Sequence, residues 1–160
     1  MDELVKFDNL KRVLEEFAVE VRNKYQDNLI ENNRIAYGDL LNTVECKVKS
    51  GKNSYSVVLN LQEYWWYVEN GRKSGKFPPV DNILKWIEWK PILPKPDKDG
   101  KLPTPEQLAF LIGRKIADEG TQGTKDLTSA INDVYGVFRE RIYTAISQDI
   151  DKVTIKLFQY

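Results

Sequence analysis

Four adjacent aromatic residues, followed by a short basic stretch, are the part of this sequence best equipped for chemistry. The aromatic run occupies 64–67, and the cations follow within 71–76. Aromatic rings beside cations can stack nucleic-acid bases, and the same residue types are enriched at protein–protein interfaces. Because four consecutive side chains cannot all face one core, we expect two rings to point inward and two toward a partner. The candidate partner-binding residues are Tyr64, Trp65, Trp66, Arg72, Lys73, Lys76 and Phe77.

The basic stretch does not match a phosphate-binding loop. Three residues separate Gly71 from Gly75, where that loop needs four, and Phe77 stands where a Ser or Thr is required. Segment 95–106 carries some acidic residues of a calcium-binding loop, but Lys95 occupies its first ligand position. The sequence therefore predicts a basic surface loop and no calcium site.

Residues for common catalytic and metal sites are scarce. The chain has no histidine and one cysteine, which excludes His-dependent triads and leaves a zinc site short of ligands. Cys46 falls on the apolar face of a predicted strand, so we expect a buried structural thiol. The adjacent acids Asp118 and Glu119 point apart on a helix, as do Glu15 and Glu16. We therefore expect no enzymatic activity, no catalytic residues, no cofactor and no metal.

Composition favours one folded domain spanning 1–160. The 24 basic and 24 acidic residues cancel, and hydrophobic residues make up 41% of the chain. Zero net charge argues against a protein that coats DNA, since such proteins carry a basic excess. The longest apolar or aromatic runs, 64–68 and 108–112, are far too short to span a membrane, so we expect no membrane partner.

Apolar periodicity predicts long helices at both ends of the chain. In the N-terminal helix, 2–29, apolar side chains recur in steps of three and four on one stripe. That stripe is Leu4, Phe7, Leu10, Leu14, Phe17, Val21 and Tyr25. The last helix is expected over 125–150, within a helical C-terminal part assigned to 104–150. The alternating segment 152–158 predicts a possible terminal strand.

The middle of the chain, 38–90, is predicted to form a sheet-and-loop core. Alternating runs at 43–49 and 54–61 flank a turn and indicate a hairpin. A short helix should begin at Pro78–Pro79 and run to about Trp89. Thr104 begins a capping box that opens another helix, ending near Gly120. The sequence thus predicts an α+β fold, with a small antiparallel sheet packed against long amphipathic helices.

A string of motifs in this order resembles the neck proteins of tailed bacteriophages, that is, the head–tail connector and tail-completion proteins. The aromatic Tyr-x-x-x-Val-Glu-x-Gly segment and the Pro-Pro-Val helix start lie in 64–80, with Ile83 and Trp86–Ile87 after them. The Ala-Phe-x-Ile-x-Arg-x-Ile pattern resembles Ala109–Ile116, and Gly-Thr-Gln-Gly-Thr follows at 120–124. The resemblance covers roughly 38–128.

The resemblance implies a structural virion protein that forms a homo-oligomeric ring, joins the portal to the tail and surrounds the DNA channel. Its implied partners are the portal, other neck or tail proteins, and genomic DNA passing without sequence recognition. It would reside in the virion, and in the host cytoplasm during assembly. In such a ring we expect Arg72, Lys73 and Lys76 to contact an acidic surface or the DNA path.

Two alternatives remain open. One is a single-stranded nucleic-acid-binding protein that uses the aromatic block and the basic loop. The other is a small enzyme acting through carboxylates alone, which would need two buried acids facing each other.

Overall fold

The fold consists mainly of helices, with two short antiparallel strand pairs. The computed structural model describes residues 6–33, 39–51, 54–90, 92, 94–96 and 98–158. The predicted α+β class, a small antiparallel sheet with long helices, is confirmed. In chain order, the elements are α1 Asp8–Glu31, α2 Asp39–Asn42, β1 Glu45–Ser50, β2 Tyr55–Asn60, α3 Trp65–Asn70, β3 Gly71–Arg72, α4 Val80–Trp89, α5 Pro105–Glu119, β4 Thr121–Gln122 and α6 Asp126–Phe158.

Helices α1 and α6 lie side by side and supply most of the buried apolar side chains. Asn9, near the start of α1, bonds to Asp149 late in α6, and Asn28, near the end of α1, bonds to Asp126 at the start of α6. The two helices are therefore antiparallel. Each large apolar side chain buried between them contributes about 1.5–3 kcal/mol. The buried stripes are Val13, Ala18, Val21, Tyr25 and Leu29 on α1, and Leu127, Ala130, Val134, Phe138 and Ala145 on α6.

The first helix forms, but its limits differ from the predicted 2–29. Lys6 and Phe7 are not helical, and residues 2–5 lie outside the described part of the chain. The start of α1 has no side-chain cap of its own. Instead, the Asp149 carboxylate accepts hydrogen bonds from the backbone amides of Asn9 and Leu10. A cap supplied from 140 residues away leaves no local sequence signal for where the helix begins.

The predicted hairpin is confirmed. β1 and β2 pair in antiparallel register, with Glu45 opposite Asn60 and Val48 opposite Val57. The hairpin packs on α1, which places a small sheet against the long helix pair. Cys46 is half-buried on this sheet rather than fully buried, and burial raises the pKa of its thiol. The turn residues 52–53 lie outside the described residues.

The predicted terminal strand at 152–158 is wrong. Helix α6 continues past the expected end at Ile150 and reaches Phe158, for 33 residues in all. The Thr154 hydroxyl donates to the Ile150 carbonyl, four residues back along the helix. The alternation of Val153, Ile155 and Leu157 resembled a strand, but within the described residues this segment continues α6 and pairs with no strand.

Helices α4 and α5 form a separate hairpin, which we call the arm and define as residues 71–122; the rest of the chain is the body. The predicted limits of both helices are close to those observed. Pro79 precedes α4, and α5 begins with the expected capping box, in which Thr104 and Gln107 bond each other's backbone amides. α5 ends at Gly120.

The arm has a small apolar interior of its own. Ile83 of α4 and Ala109 of α5 are buried where the two helices cross. The ring of Phe77 lies against Gly113, where a side chain on residue 113 would collide with it. The close approach of Phe77 is therefore possible because residue 113 is glycine.

Candidate partner-binding surface

The arm joins the body through a neck, where the chain leaves the body at Gly71 and returns at Gln122. β3 and β4 pair there in antiparallel register, with Gly71 opposite Gln122 and Arg72 opposite Thr121. The Thr121 hydroxyl also accepts a hydrogen bond from the Arg72 amide. Segment 71–76, predicted as a loop, therefore begins as a strand. Two residues are too few to show strand periodicity in a sequence.

Three glycines allow the two chain segments of the neck to lie in close contact. Gly71 has φ 75° and Gly120 has φ 76°, both in the left-handed region that favours glycine. A Cβ on Gly71 would lie 2.1 Å from the Thr121 carbonyl oxygen, and one on Gly120 would lie 2.2 Å from the Arg72 carbonyl oxygen. A Cβ on Gly123 would lie 2.3 Å from the Glu69 carbonyl oxygen, near the end of α3. The backbone of the neck is therefore packed too closely for side chains at these three positions.

Glu69, near the end of α3, is buried and caps the start of α6. Its carboxylate accepts hydrogen bonds from the backbone amides of Leu127 and Thr128 and from the Thr128 hydroxyl. A carboxylate there satisfies amides that have no partner within the helix and opposes the positive end of the helix dipole. The neck, α3 and the start of α6 are thereby fixed to one another. Glu69 has no acidic neighbour in the sequence, so no pair of adjacent acids indicated its role.

The other two buried carboxylates also hold helix ends. Asp126 accepts hydrogen bonds from the Asn32 amide and the Thr124 hydroxyl. Asp149, with 0% of its surface exposed, accepts from the start of α1. Within the described part of the chain, these two and Glu69 are the buried acids. Each is engaged by amide or hydroxyl donors, which is the geometry of a structural acid.

Tyr25 lies fully buried beside these groups. Burial raises the pKa of its hydroxyl well above the ordinary value, and the charges of Glu69 and Asp126 raise it further. The phenol is therefore neutral at physiological pH. Its ring packs with Leu29 and Leu127 in the cluster beneath α3.

The aromatic block forms most of α3, and one of its four rings faces the core rather than the expected two. Trp65 is half-buried against the cluster around Tyr25. Trp66 is 56% exposed, Tyr67 is similarly exposed and Tyr64 is less so. Consecutive helical residues point about 100° apart, so only the stripe that starts at Trp65 can turn inward. Trp66 and Tyr67 are thus the most exposed rings of the candidate site.

The basic loop is closed by one of its own cations. The Arg72 guanidinium donates to the Lys76 carbonyl at 2.9 Å, so this arginine holds the loop in shape. The side chains of Lys73 and Lys76 are exposed. Phe77, which is 39% exposed, stacks at a tilt on Phe110 with ring centres 5.5 Å apart. The predicted site is therefore divided between α3 on the body and the loop that begins the arm.

Two further apolar surfaces were not anticipated. The first is a shallow depression of about 470 Å³ at the start of α5. Its lining is almost wholly apolar and consists of Pro103, Glu106, Gln107, Phe110 and Leu111. The apolar spacing of Leu111 with Leu108 and Ile112 favoured an inward position, but in the structure Leu111 and Phe110 are exposed.

The second unanticipated surface is the end of α6. Ile150, Ile155, Leu157 and Phe158 are exposed there, Phe158 to 84%. This stretch extends beyond Asp149, the residue that meets the start of α1. The strand prediction concealed it, because a strand would have buried one face of the segment.

Comparisons with family models, with curated proteins and with solved structures gave no match to this chain. Across the residues described above, no cluster of three or more His, Cys, Asp or Glu side chains is arranged to hold a metal ion. Of the helices in that part of the chain, none combines the length and the apolar character needed to cross a bilayer.

Proposed function

We propose that this chain is a structural virion protein of the phage neck, forming a homo-oligomeric ring that joins the portal to the tail around the DNA channel. The observation that carries the proposal is exposed apolar surface in three separate places: the outer face of α3, the depression on α5 and the end of α6. Extended apolar patches on a soluble protein mark contact sites. Several patches on one small chain suit a subunit with neighbours on more than one side.

The roles of the buried acids support a structural rather than a catalytic protein. Acid–base chemistry needs carboxyl groups held beside a place where a substrate can sit. Glu69 and Asp149 instead bond to backbone amides at helix starts, and Asp126 bonds to Asn32 and Thr124. Each carboxylate is thus already used to hold the fold.

The exposed cations suit weak contact with DNA or with an acidic neighbour. Lys73 and Lys76 extend from the arm, while Arg72 is bonded to the backbone of its own loop. Two exposed lysines per subunit give a local positive patch on a protein of zero net charge. DNA could then pass a ring of such patches without strong retention.

The deciding experiment is mass spectrometry and imaging of phage particles that encode this chain. We expect several copies per particle, located on the axis between head and tail. A variant with Arg72, Lys73 and Lys76 all changed to glutamate should assemble poorly or lose DNA, while the isolated protein stays folded. Absence from the particle, a single copy, or normal yield and DNA content of the triple variant would count against the proposal.

A second function, binding of single-stranded nucleic acid, is favoured by the exposure of Trp66 and Tyr67 on one helix. Base stacking on such rings is worth about 1–3 kcal/mol per base. A filter-binding titration at several salt concentrations separates the two functions. A protein of the phage neck should bind single-stranded nucleic acid no more tightly than ordinary non-specific binding, with a Kd of about 10⁻⁴–10⁻⁶ M. Tighter binding that is lost on Trp66→Ala would favour the second function.

A further inference from the structure

The end of α6 has apolar side chains on more than one side of the helix. Ile155, Leu157 and Phe158 are all exposed, and the 100° turn per residue directs them to three different faces. A surface helix in a globular protein keeps its apolar residues on one stripe, whereas a helix that is apolar all round is enclosed. Asp151, Lys152, Thr154 and Lys156 are exposed among them. This helix end therefore combines exposed apolar side chains with charges, which is the composition of a contact surface.

The depression at the start of α5 is a matching receptor. It is open and apolar, and its floor is formed by Pro103, Phe110 and Leu111. At about 470 Å³, it falls within the range of pockets that enclose small ligands. It can take in side chains as bulky as those of Leu157 and Phe158.

Charges favour pairing of these two surfaces. Glu106 is an exposed lining residue of the depression, and Lys156 lies next to Ile155 and Leu157 in α6. The depression is at the positive N-terminal end of the α5 dipole, and the inserting segment is the negative C-terminal end of α6. On a larger scale, the arm has ten basic and seven acidic residues, whereas the rest of the chain has fourteen and seventeen. The arm thus has a net charge of +3 and the body −3. Opposite net charges favour contact between an arm and a body over contact between two arms.

The two surfaces do not meet within one molecule. The arm is attached at the start of α6, and Phe158 lies about 48 Å away at the other end of that helix. Phe110 is nine residues before the end of α5, or about 14 Å from the neck. A contact between different surfaces of identical chains repeats, so it closes into a ring or continues as a filament.

We propose that the end of α6 from one copy inserts into the α5 depression of the next copy. This inference rests on the proposed ring and names its subunit contact. Leu157 and Phe158 occupy the depression against Phe110 and Leu111, and Lys156 meets Glu106 at the rim. The neck sets the angle between successive copies, because it connects each arm to the start of its own α6.

Disulfide trapping tests this contact. In a Cys46→Ser background, we would prepare Leu111→Cys and Phe158→Cys as single variants, mix them and oxidise them mildly at high protein concentration. We expect a heterodimer from the mixture, and a ladder of covalent oligomers when both changes are in one chain. Val137→Cys replaces Phe158→Cys in the matched control, because residue 137 is also highly exposed on α6 but lies outside its end. The control pair should give no ladder.

A charge exchange provides a second measurement. Lys156→Glu alone and Glu106→Lys alone should each lower the trapping yield about threefold, the size expected for an exposed ion pair. Combining both changes should restore it.

Three outcomes would overturn the inference: no covalent product from the mixture, equal products from the control pair, or efficient trapping of Phe158→Cys with itself, which indicates a two-fold contact. Many copies in the particle without trapping would overturn this contact and leave the ring proposal standing. Trapping by a protein that is absent from particles would support the contact between copies and overturn the proposed role in the phage neck.

Discussion

The body and the arm differ in how much apolar surface each buries in its own interior. In the body, α1 and α6 bury long apolar stripes, and each end of α1 is bonded to an acidic residue of α6. In the arm, α4 and α5 bury little more than Ile83 and Ala109, and they leave Phe110 and Leu111 exposed. The body therefore contains most of the buried apolar core, whereas the arm has only a small interior, and both regions have exposed apolar residues.

The neck is where the two regions depend on each other. Glycine backbone in close contact and the Glu69 carboxylate connect the arm to the start of α6. A change at the neck should therefore affect the position of the arm more than the core of the body, and a change in the body should affect both.

The largest effect should come from Gly71→Ala. The new Cβ would collide with the Thr121 carbonyl and place alanine at positive φ, so we expect a loss of about 4 kcal/mol in unfolding free energy. Hydrogen exchange should show loss of protection in the arm first. Gly136→Ala is the control: it lies in α6 with open space around it and should stabilise the protein by about 1 kcal/mol. Similar effects from both variants would mean that the neck is not tightly constrained.

Asp149→Ala should cost about 3 kcal/mol, because it leaves the partly buried amides at the start of α1 without acceptors. Asp151→Ala, two residues later and exposed, should change the unfolding free energy by less than about 0.5 kcal/mol. Urea unfolding followed by circular dichroism measures both. Equal stability of the two variants would refute the view that a distant carboxylate holds α1 in the body.

The two tryptophans of α3 should separate folding from association. Trp65→Ala should lower the unfolding free energy by about 2 kcal/mol, since the ring packs on the core. Trp66→Ala should leave the fold nearly unchanged and weaken association between chains by about 2 kcal/mol. Urea unfolding and sedimentation equilibrium give the two quantities. If Trp66→Ala leaves association intact, the ring on the outer face of α3 has no role in binding.

The smallest effect concerns alkaline pH. The pKa of Tyr25 is raised in the folded state, so above pH 10 the unfolded chain loses this proton before the folded one does. Its contribution to stability is therefore complete below about pH 10 and falls above it, by at most about 1.4 kcal/mol per pH unit. Tyr25→Phe should flatten this part of the stability profile relative to the unaltered chain. Parallel profiles for the two proteins would show that other groups cause the loss.

Local patterns were sufficient for elements whose ends are determined by neighbouring residues. The hairpin followed from alternation, and α5 followed from Thr104, Gln107 and Gly120, which act on backbone within a few positions. The start of α1 could not be found in this way, because its capping carboxylate comes from α6. The terminal strand failed for a related reason: alternation describes a segment, but whether it becomes a strand depends on a partner strand lying beside it, and this segment continues α6 instead.

The candidate site was only partly accessible from the sequence. The residue types at 64–77 indicated a partner-binding surface, and the exposure of Trp66 and Tyr67 agrees with available rings. That Arg72 would be bonded within its own loop depended on the path of the chain. The depression on α5 required two helices to pack first, and its role as a receptor stays a prediction.

By itself, the sequence determined the α+β class, the hairpin and the helical character of α1 and most of α6, because period and capping act over a few residues. The tertiary structure alone decided which acids became structural, how the neck closes and which apolar residues stay exposed. Those outcomes depend on groups far apart in the chain, such as Asn9 and Asp149, or Gly71 and Thr121. Contacts between such distant groups are set by how the helices pack, which no local pattern contains.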